Sequence, residues 1–207
     1  MDEPREYRRN LPHIQPEEGI FFITFRLKDS LPLSVIDRLK KNALRREIDI
    51  ISSKGDFNKI DKENKHFEDF IEFDAYLDRA TFGTTYLKDP KAATIVANTI
   101  HYLDGKDFKL ICYCIMPNHV HLIIYKTKRI LFRILQSLKR HSAREANIIL
   151  SRNGSFWQKE SYDRLIRDRN DLAEKIEYTL YNPVKAGLVD DWRDWQFTYC
   201  KDEFLEY

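Results

Sequence analysis

His119 and His121 stand one residue apart in the apolar run MPNHVHLII, residues 116–124, directly after Pro117-Asn118. Strand side chains alternate between faces, so both imidazoles point the same way, with Cα atoms about 6.5–7 Å apart. Two imidazoles at that spacing can reach one metal ion. An ion needs at least a third ligand, and open positions if it is to act on a substrate. Two sources compete for that ligand. If Pro117-Asn118 is a turn, Cys114 lies opposite His121 and Cys112 faces the same way, which gives a Cys/Cys/His/His zinc site. Ligands spread along two paired strands converge poorly on a tetrahedral centre, however. The other source is a helix ending at Asn182, on which Glu174, Tyr178 and Asn182 recur every four residues and share a face. That face sets a hydroxyl and an amide oxygen one turn apart. Against both stands the ordinary reading, in which the histidines are satisfied core or surface groups. Tyr178 is one of eleven tyrosines, and spacing alone does not select it.

The elements that must position these groups follow from hydrophobic period and turn chemistry. IFFITFRL, residues 20–27, is a strand, aromatic and β-branched, after Gly19. Residues 33–51 repeat apolar positions at helical spacing behind Ser34, and the polar run SSKGDFNKIDKENK after them reads as a loop. FEDFIEFDAYLDRA, residues 67–80, is an acidic helix with Phe67, Phe70, Ile71, Ala75 and Leu77 available for packing. Pro90 opens a further helix that closes before Gly105. Residues 108–115 and 119–125 form a hairpin across Met116-Pro117-Asn118. Residues 130–150 form a long amphipathic helix stopped at Asn153-Gly154. A short strand over 162–167 precedes a helix from Asn170 with a buried stripe of Leu172, Ile176 and Leu180, which must end near Asn182 because Pro183 disfavours helix in the residue before it. With the helical insertion at about 33–85 set aside, the order is β-α-β-β-α-β, an α+β, ferredoxin-like plan with an antiparallel sheet. Residues 1–207 are expected to form a single domain, with 188–207 as a C-terminal extension.

Composition sets the wider bounds. A chain of 207 residues, 43% hydrophobic and 13% aromatic, can bury a sizeable core. No apolar run is long enough for a membrane span, and the N-terminal stretch MDEPREYRRNLPH lacks a signal-peptide core, so a cytoplasmic protein with no membrane partner is expected. Three cysteines are too few for a disulfide framework. The net charge of +2 hides a local excess: residues 126–167 hold eleven Lys/Arg against three acids, a net of +8. Such a segment suits a phosphate backbone or is simply a solvated helix face. Lys126, Lys128, Arg129, Lys139, Arg140 and Arg144 are the candidates for phosphate contacts, which position DNA without reading its sequence. For Phe156 and Trp157, core packing is the expected role.

CYCIMPNHVHLII, FWQKESYDRLIRD and IEYTLYNPVKAGLV, in that order, resemble the REP-associated tyrosine transposases, relatives of the single-tyrosine HUH transposases. The N-terminal EYRRNLPHIQPEEGIFFITFRLKDSLP also resembles members of that family, and the likeness is weakest over about residues 45–85. The resemblance implies metal-binding histidines at His119 and His121, a nucleophile at Tyr178 and a polar third metal ligand at Asn182, one methylene shorter than the glutamine of related transposases. It implies cleavage and rejoining of single-stranded hairpin DNA through a 5′-phosphotyrosine intermediate, assisted by Mg²⁺ or Mn²⁺. A monomer is expected from the REP-associated branch, with a homodimer as the alternative. Two other readings stay open at this point: a non-catalytic nucleic-acid-binding module of the same fold, and a structural zinc protein using Cys112, Cys114, His119 and His121.

Overall fold

In the computed structural model, which describes residues 5–8, 12–16, 18–52, 59–79 and 83–205, a five-stranded antiparallel sheet carries the chain. A two-stranded hairpin precedes it, β1 (Arg5–Arg8) paired with β2 (Pro12–Gln15). The sheet is built from β3 (Ile20–Leu27), β4 (Lys109–Ile115), β5 (His119–Tyr125), β6 (Trp157–Ile166) and β7 (Thr198–Cys200), in the order β6-β3-β5-β4-β7. Its helices are α1 (Leu33–Ser52), α2 (Lys59–Asp78), α3 (Pro90–Leu103), α4 (Leu131–Ile149) and α5 (Arg169–Lys185). The first four strands of that order form the ferredoxin-like sheet expected from β-α-β-β-α-β. The short β7 is added at one edge by the chain after α5.

Both faces of this sheet are covered, which is why β3, β4 and β5 are buried nearly throughout. On one face Val120, Leu122 and Ile124 pack with Phe21, Ile23 and Phe25 under α3 and α4. On the other, Phe22 and Ile123 pack with Phe70 of α2 and with Leu172, Ile176 and Leu180 of α5. The α5 stripe is the one its four-residue repeat predicts. β4 slips register at Ile111, between Leu110 opposite Ile124 and Cys112 opposite Ile123, a bulge that keeps Cys114 opposite His121. Phe156 and Trp157 are core residues: both are buried, and the Trp157 indole N–H donates to Ser142 Oγ at 2.9 Å.

Three boundaries differ from the sequence-based expectation. α2 starts at Lys59, inside the run read as a loop, because Lys, Glu and Asp are tolerated in a helix and the run from Lys59 holds no glycine or proline to stop it. β6 is longer than residues 162–167 and reaches back to Trp157. α5 runs through Pro183 to Lys185 instead of ending at Asn182. A proline near the last turn forfeits one backbone bond, and the end recovers through Ala186 N–H to Asn182 O and Leu188 N–H to Pro183 O, with Gly187 at φ +68° as the stop.

The insertion is returned to the sheet at Gly83. Its φ is +83°, and a Cβ there would sit 2.3 Å from Asp29 O and 2.6 Å from the Ser30 carbonyl carbon. Only glycine lets the chain pass this close to the end of β3. This crossing holds α2 across the sheet face that bears the histidines.

Candidate active site

The hairpin places His119 and His121 on one face of β5, both fully buried, as strand alternation requires. Each ring is fixed at Nδ1. His121 Nδ1 lies 2.8 Å from Thr24 Oγ1 on the neighbouring strand, and His119 Nδ1 lies 2.6 Å from Asn118 Oδ1. The Asn118 amide is itself oriented, because its Nδ2 donates to Leu77 O of α2 at 2.9 Å. An amide oxygen can only accept, so His119 carries its proton on Nδ1 and its Nε2 presents a free lone pair. This is the tautomer that a metal ligand needs. The two Nε2 atoms face each other at 3.0 Å.

Two carboxylates of α2 close around that point. His121 Nε2 is 3.3 Å from Asp74 Oδ2, and His119 Nε2 is 3.7 Å from both Asp74 Oδ1 and Asp78 Oδ1. One ligand atom from each of Asp74, Asp78, His119 and His121 lies within 4.8 Å of every other. The Tyr178 hydroxyl donates a short hydrogen bond to Asp74 Oδ2. Lys185, two turns further along α5, sets its Nζ 2.8 Å from Asp78 Oδ2 and 5.0 Å from the centre of the Tyr178 ring. That ring is held edge-on to Phe22 and to His121, with centroids 6.0 and 5.6 Å away.

Burial sets the electrostatics. It pushes the His119 imidazole down to about 3, so the ring is neutral near neutrality. Burial also raises the Asp74 carboxyl, but the neighbouring histidines and the Tyr178 hydroxyl outweigh it and hold Asp74 well below the usual carboxylate range. Asp78, buried and facing the Asp74 charge, is pushed up to about 6 despite Lys185. The Tyr178 phenol is driven well above its usual range by burial and by the two carboxylates. The chain alone therefore keeps the phenol protonated, and positive charge is what this cluster lacks.

The polar atoms left over match that lack. Asp74 Oδ1, Asp78 Oδ1 and both amide atoms of Asn182 are buried without a hydrogen-bond partner. Buried polar groups are nearly always paired, so the two carboxylate orphans beside the two Nε2 atoms fit a cation with nitrogen and oxygen donors.

Asp74 and Asp78 are the site residues that sequence reasoning missed. A signal was present: Phe70, Asp74, Leu77 and Asp78 lie on one buried stripe of α2, and acids inside an apolar stripe call for a partner. Glu174, which shares a helix face with Tyr178, is exposed instead. The cysteines do not join the cluster. Cys114 lies opposite His121, but its thiol is pushed up to about 12 by burial and points to Met116 Sδ at 3.6 Å.

The basic candidates lie elsewhere. α4 covers the sheet face opposite His119 and His121, so Lys139, Arg140 and Arg144 are separated from the cluster by the sheet. Lys139 is engaged with β6 through Gln158 O at 3.0 Å and Ser161 Oγ at 2.6 Å. Lys128 donates to Gly105 O, Arg129 pairs with Asp107, and Lys126 is 3.4 Å from Glu18. Arg140 and Arg144 are exposed, the latter paired with Glu145.

With the geometry in place, the chain can be set against known proteins. Residues 84–173 match the family model described as "Transposase IS200 like". The matched segment contains His119 and His121 and ends before Tyr178 and Asn182. A Haemophilus influenzae protein assigned to the REP-associated tyrosine transposases is 31% identical over 102 residues, 44% of this chain and 58% of that protein. The chain thus spans little more than half the length of this relative. A solved REP-associated tyrosine transposase bound to a REP hairpin matches with a TM-score of 0.54 and 16% identity, over 94% of this chain and 81% of the other. At that identity the likeness establishes a shared fold. No helix among the described residues is long and apolar enough to cross a membrane.

The helix bearing Tyr178 is anchored at its start by Asp171, which makes its own prediction. Asp171 accepts from Arg167 N–H at 3.1 Å and pairs with Lys175 at 3.1 Å and Arg164 at 3.7 Å. Burial raises its carboxyl, but these partners outweigh it and leave the folded value depressed. A depressed carboxylate contributes stability above its unfolded pKa, about 4, and loses it as pH falls through the folded value. Asp171→Asn is expected to cost about 1–3 kcal/mol at pH 7 and progressively less as pH falls below about 4 through the folded value, read from urea midpoints across that range.

Proposed function

We propose that the protein is a strand transferase that cleaves and rejoins single-stranded hairpin DNA through Tyr178, with a divalent metal held by His119, His121 and Asn182. The observation that carries this reading is the hydroxyl of Tyr178 set at the edge of a buried cluster with two oriented imidazoles, in a chain whose residues 84–173 match the IS200-like transposase model and whose fold is shared with a REP-associated tyrosine transposase.

In the proposed reaction the Tyr178 oxygen attacks a backbone phosphorus, the bond to the 3′ oxygen breaks, and a 5′-phosphotyrosine and a free 3′-hydroxyl result. The phenolic proton has an acceptor already in line at Asp74 Oδ2, and one proton ends on the departing 3′ oxygen. The linkage retains the phosphodiester bond energy, so a second hydroxyl can reverse the step without ATP. Mg²⁺ or Mn²⁺ at the site supplies positive charge that polarises the phosphate and offsets charge in the transition state. Phe22 and His121 fix the phenol ring, and the rigid Thr24 and Asn118 contacts hold the imidazoles ready. Because α2 roofs the histidines, the phosphate must approach from the side where Tyr178 is half-buried and Lys185 exposed, which puts the Lys185 cation beside the incoming charge.

The test is incubation of labelled hairpin DNA bearing a single-stranded foot with the protein and Mg²⁺ or Mn²⁺, followed by denaturing electrophoresis. The reading requires metal-dependent cleavage and a covalent protein-DNA band. A non-catalytic hairpin-binding module of the same fold is the second reading, favoured by the complete burial of both histidines beneath α2. It requires hairpin binding with neither product.

The basic segment is assigned to hairpin phosphates from Lys126 to Arg144. Arg140→Ala with Arg144→Ala is expected to weaken hairpin binding equally for different sequences. The slope of log affinity against log salt should fall by about one per residue, measured by fluorescence anisotropy. The protein is proposed to act as a monomer.

A further inference from the structure

We infer that Asp74 and Asp78 of the insertion helix α2 are metal ligands, so that the site is a mixed carboxylate-imidazole centre whose ion is held by the insertion as well as by β5. This deepens the metal assignment proposed above and rests on it, but adds two ligands on a segment where the likeness to the transposases is weakest.

The first argument is distance. Around an octahedral ion with ligands at about 2.1 Å, neighbouring donor atoms are about 3.0 Å apart and opposite ones about 4.2 Å. The two Nε2 atoms are 3.0 Å apart, which is the spacing of neighbours on such an ion. Asp74 Oδ1 and Asp78 Oδ1 are each 3.7 Å from His119 Nε2, and the other oxygen of Asp74 is 3.3 Å from His121 Nε2. These separations need only small side-chain adjustments to reach the same ion.

Asp74 Oδ1 and Asp78 Oδ1 are buried and unpaired, although burying an ionised carboxylate without partners is costly. Two carboxylates side by side, one of them fully buried, repel each other in the absence of positive charge, and Lys185 reaches only Asp78. A divalent ion removes that repulsion and satisfies both oxygens. α2 is tied to the histidines independently, through Asn118 Nδ2 to Leu77 O, so the carboxylates are delivered in fixed register.

Charge points the same way. Two neutral imidazoles and an amide leave a divalent ion at full charge, whereas two carboxylates balance it. A balanced ion can reside in a closed site before any phosphate arrives. Asp74 also accepts the Tyr178 hydrogen bond, so one carboxylate both ligates and positions the phenol.

The experiment is Mn²⁺ binding by the full chain, followed by isothermal calorimetry and by the electron paramagnetic resonance of free Mn²⁺, without DNA. Wild type is expected to bind one Mn²⁺. Asp74→Asn and Asp78→Asn are each expected to weaken binding at least tenfold, while Tyr178→Phe retains it. In metal-free protein, the thermal melt of Asp78→Asn should equal or exceed wild type, because a repelling charge is gone, and that of Asp74→Asn should fall, because the Tyr178 hydrogen bond loses its charged acceptor, while in both the rise in Tm on adding Mn²⁺ shrinks. Wild-type Mn²⁺ affinity in folded Asp74→Asn and Asp78→Asn, with binding lost in His121→Ala, overturns the carboxylate ligands and leaves the histidine site standing. Absence of Mn²⁺ binding by wild type overturns both. If Asp74→Asn fails to fold, Asp78→Asn decides on its own.

Discussion

Tyr178→Phe is expected to leave no covalent protein-DNA adduct and to reduce hairpin cleavage by at least about 10⁴-fold, while hairpin affinity stays within a factor of two. The substitution removes one oxygen. The ring remains packed against Phe22, Phe67 and His121, so the helix and its buried stripe have no reason to move. What is lost structurally is the hydrogen bond to Asp74, worth about 1–2 kcal/mol of stability because the acceptor is a buried charge. A variant that folds, binds DNA and is inert is therefore the expected phenotype, checked by electrophoresis of the adduct alongside anisotropy and a thermal melt. An adduct that survives the substitution would move the nucleophile to another residue.

The second large effect is expected at the histidines. His121→Ala removes a lone pair fixed between Thr24 and Asp74, and a ring stacked on Phe22 at 5.8 Å. Loss of metal assistance is worth several kcal/mol in the transition state, so single-turnover cleavage should fall about 10³-fold or more, with added Mn²⁺ restoring little. His119→Ala should behave alike, because its Nε2 is the one whose tautomer the Asn118 amide enforces. Hairpin binding should persist in both, since the exposed cations lie on other surfaces. An unchanged metal dependence would instead make these histidines core groups.

Much of the frame was legible because it rests on local periodicity. The alternation of His119-Val120-His121 gave the face of each residue, and the Leu172, Ile176, Leu180 repeat gave the buried side of α5. The hairpin register followed from a two-residue turn. The carboxylates of α2 were not legible for a physical reason: they lie more than forty residues from the histidines in sequence, and only tertiary packing brings them together. An acid on a helix is ordinarily a solvated one, and only the burial of its neighbours Phe70 and Leu77 marks these two as different. Charge counting failed differently. It found the basic segment, but a count cannot tell an exposed Arg140 from a Lys139 that is already engaged with the β6 backbone. The helical path through Pro183 was also hidden, because a proline's local preference yields when the rest of the last turn is capped. β7 is three residues long and becomes a strand only because the edge of β4 is available to it.

Tyr178 is half-buried, with its hydroxyl on Asp74 and Asp78 close by. Held well above its usual range, the phenol stays protonated and inert in the chain alone. A divalent cation held there, together with Lys185, would reverse the sign of those surroundings and favour loss of the proton.

The central claim is that Tyr178 forms the covalent bond to DNA. Protein reacted with hairpin DNA and Mn²⁺, digested with nuclease and protease and analysed by tandem mass spectrometry, tests it most directly. The account predicts a nucleotide linked through phosphate to the peptide containing Tyr178, on the tyrosine itself. A nucleotide on any other residue, or cleaved hairpin with no nucleotide on the protein, would contradict it.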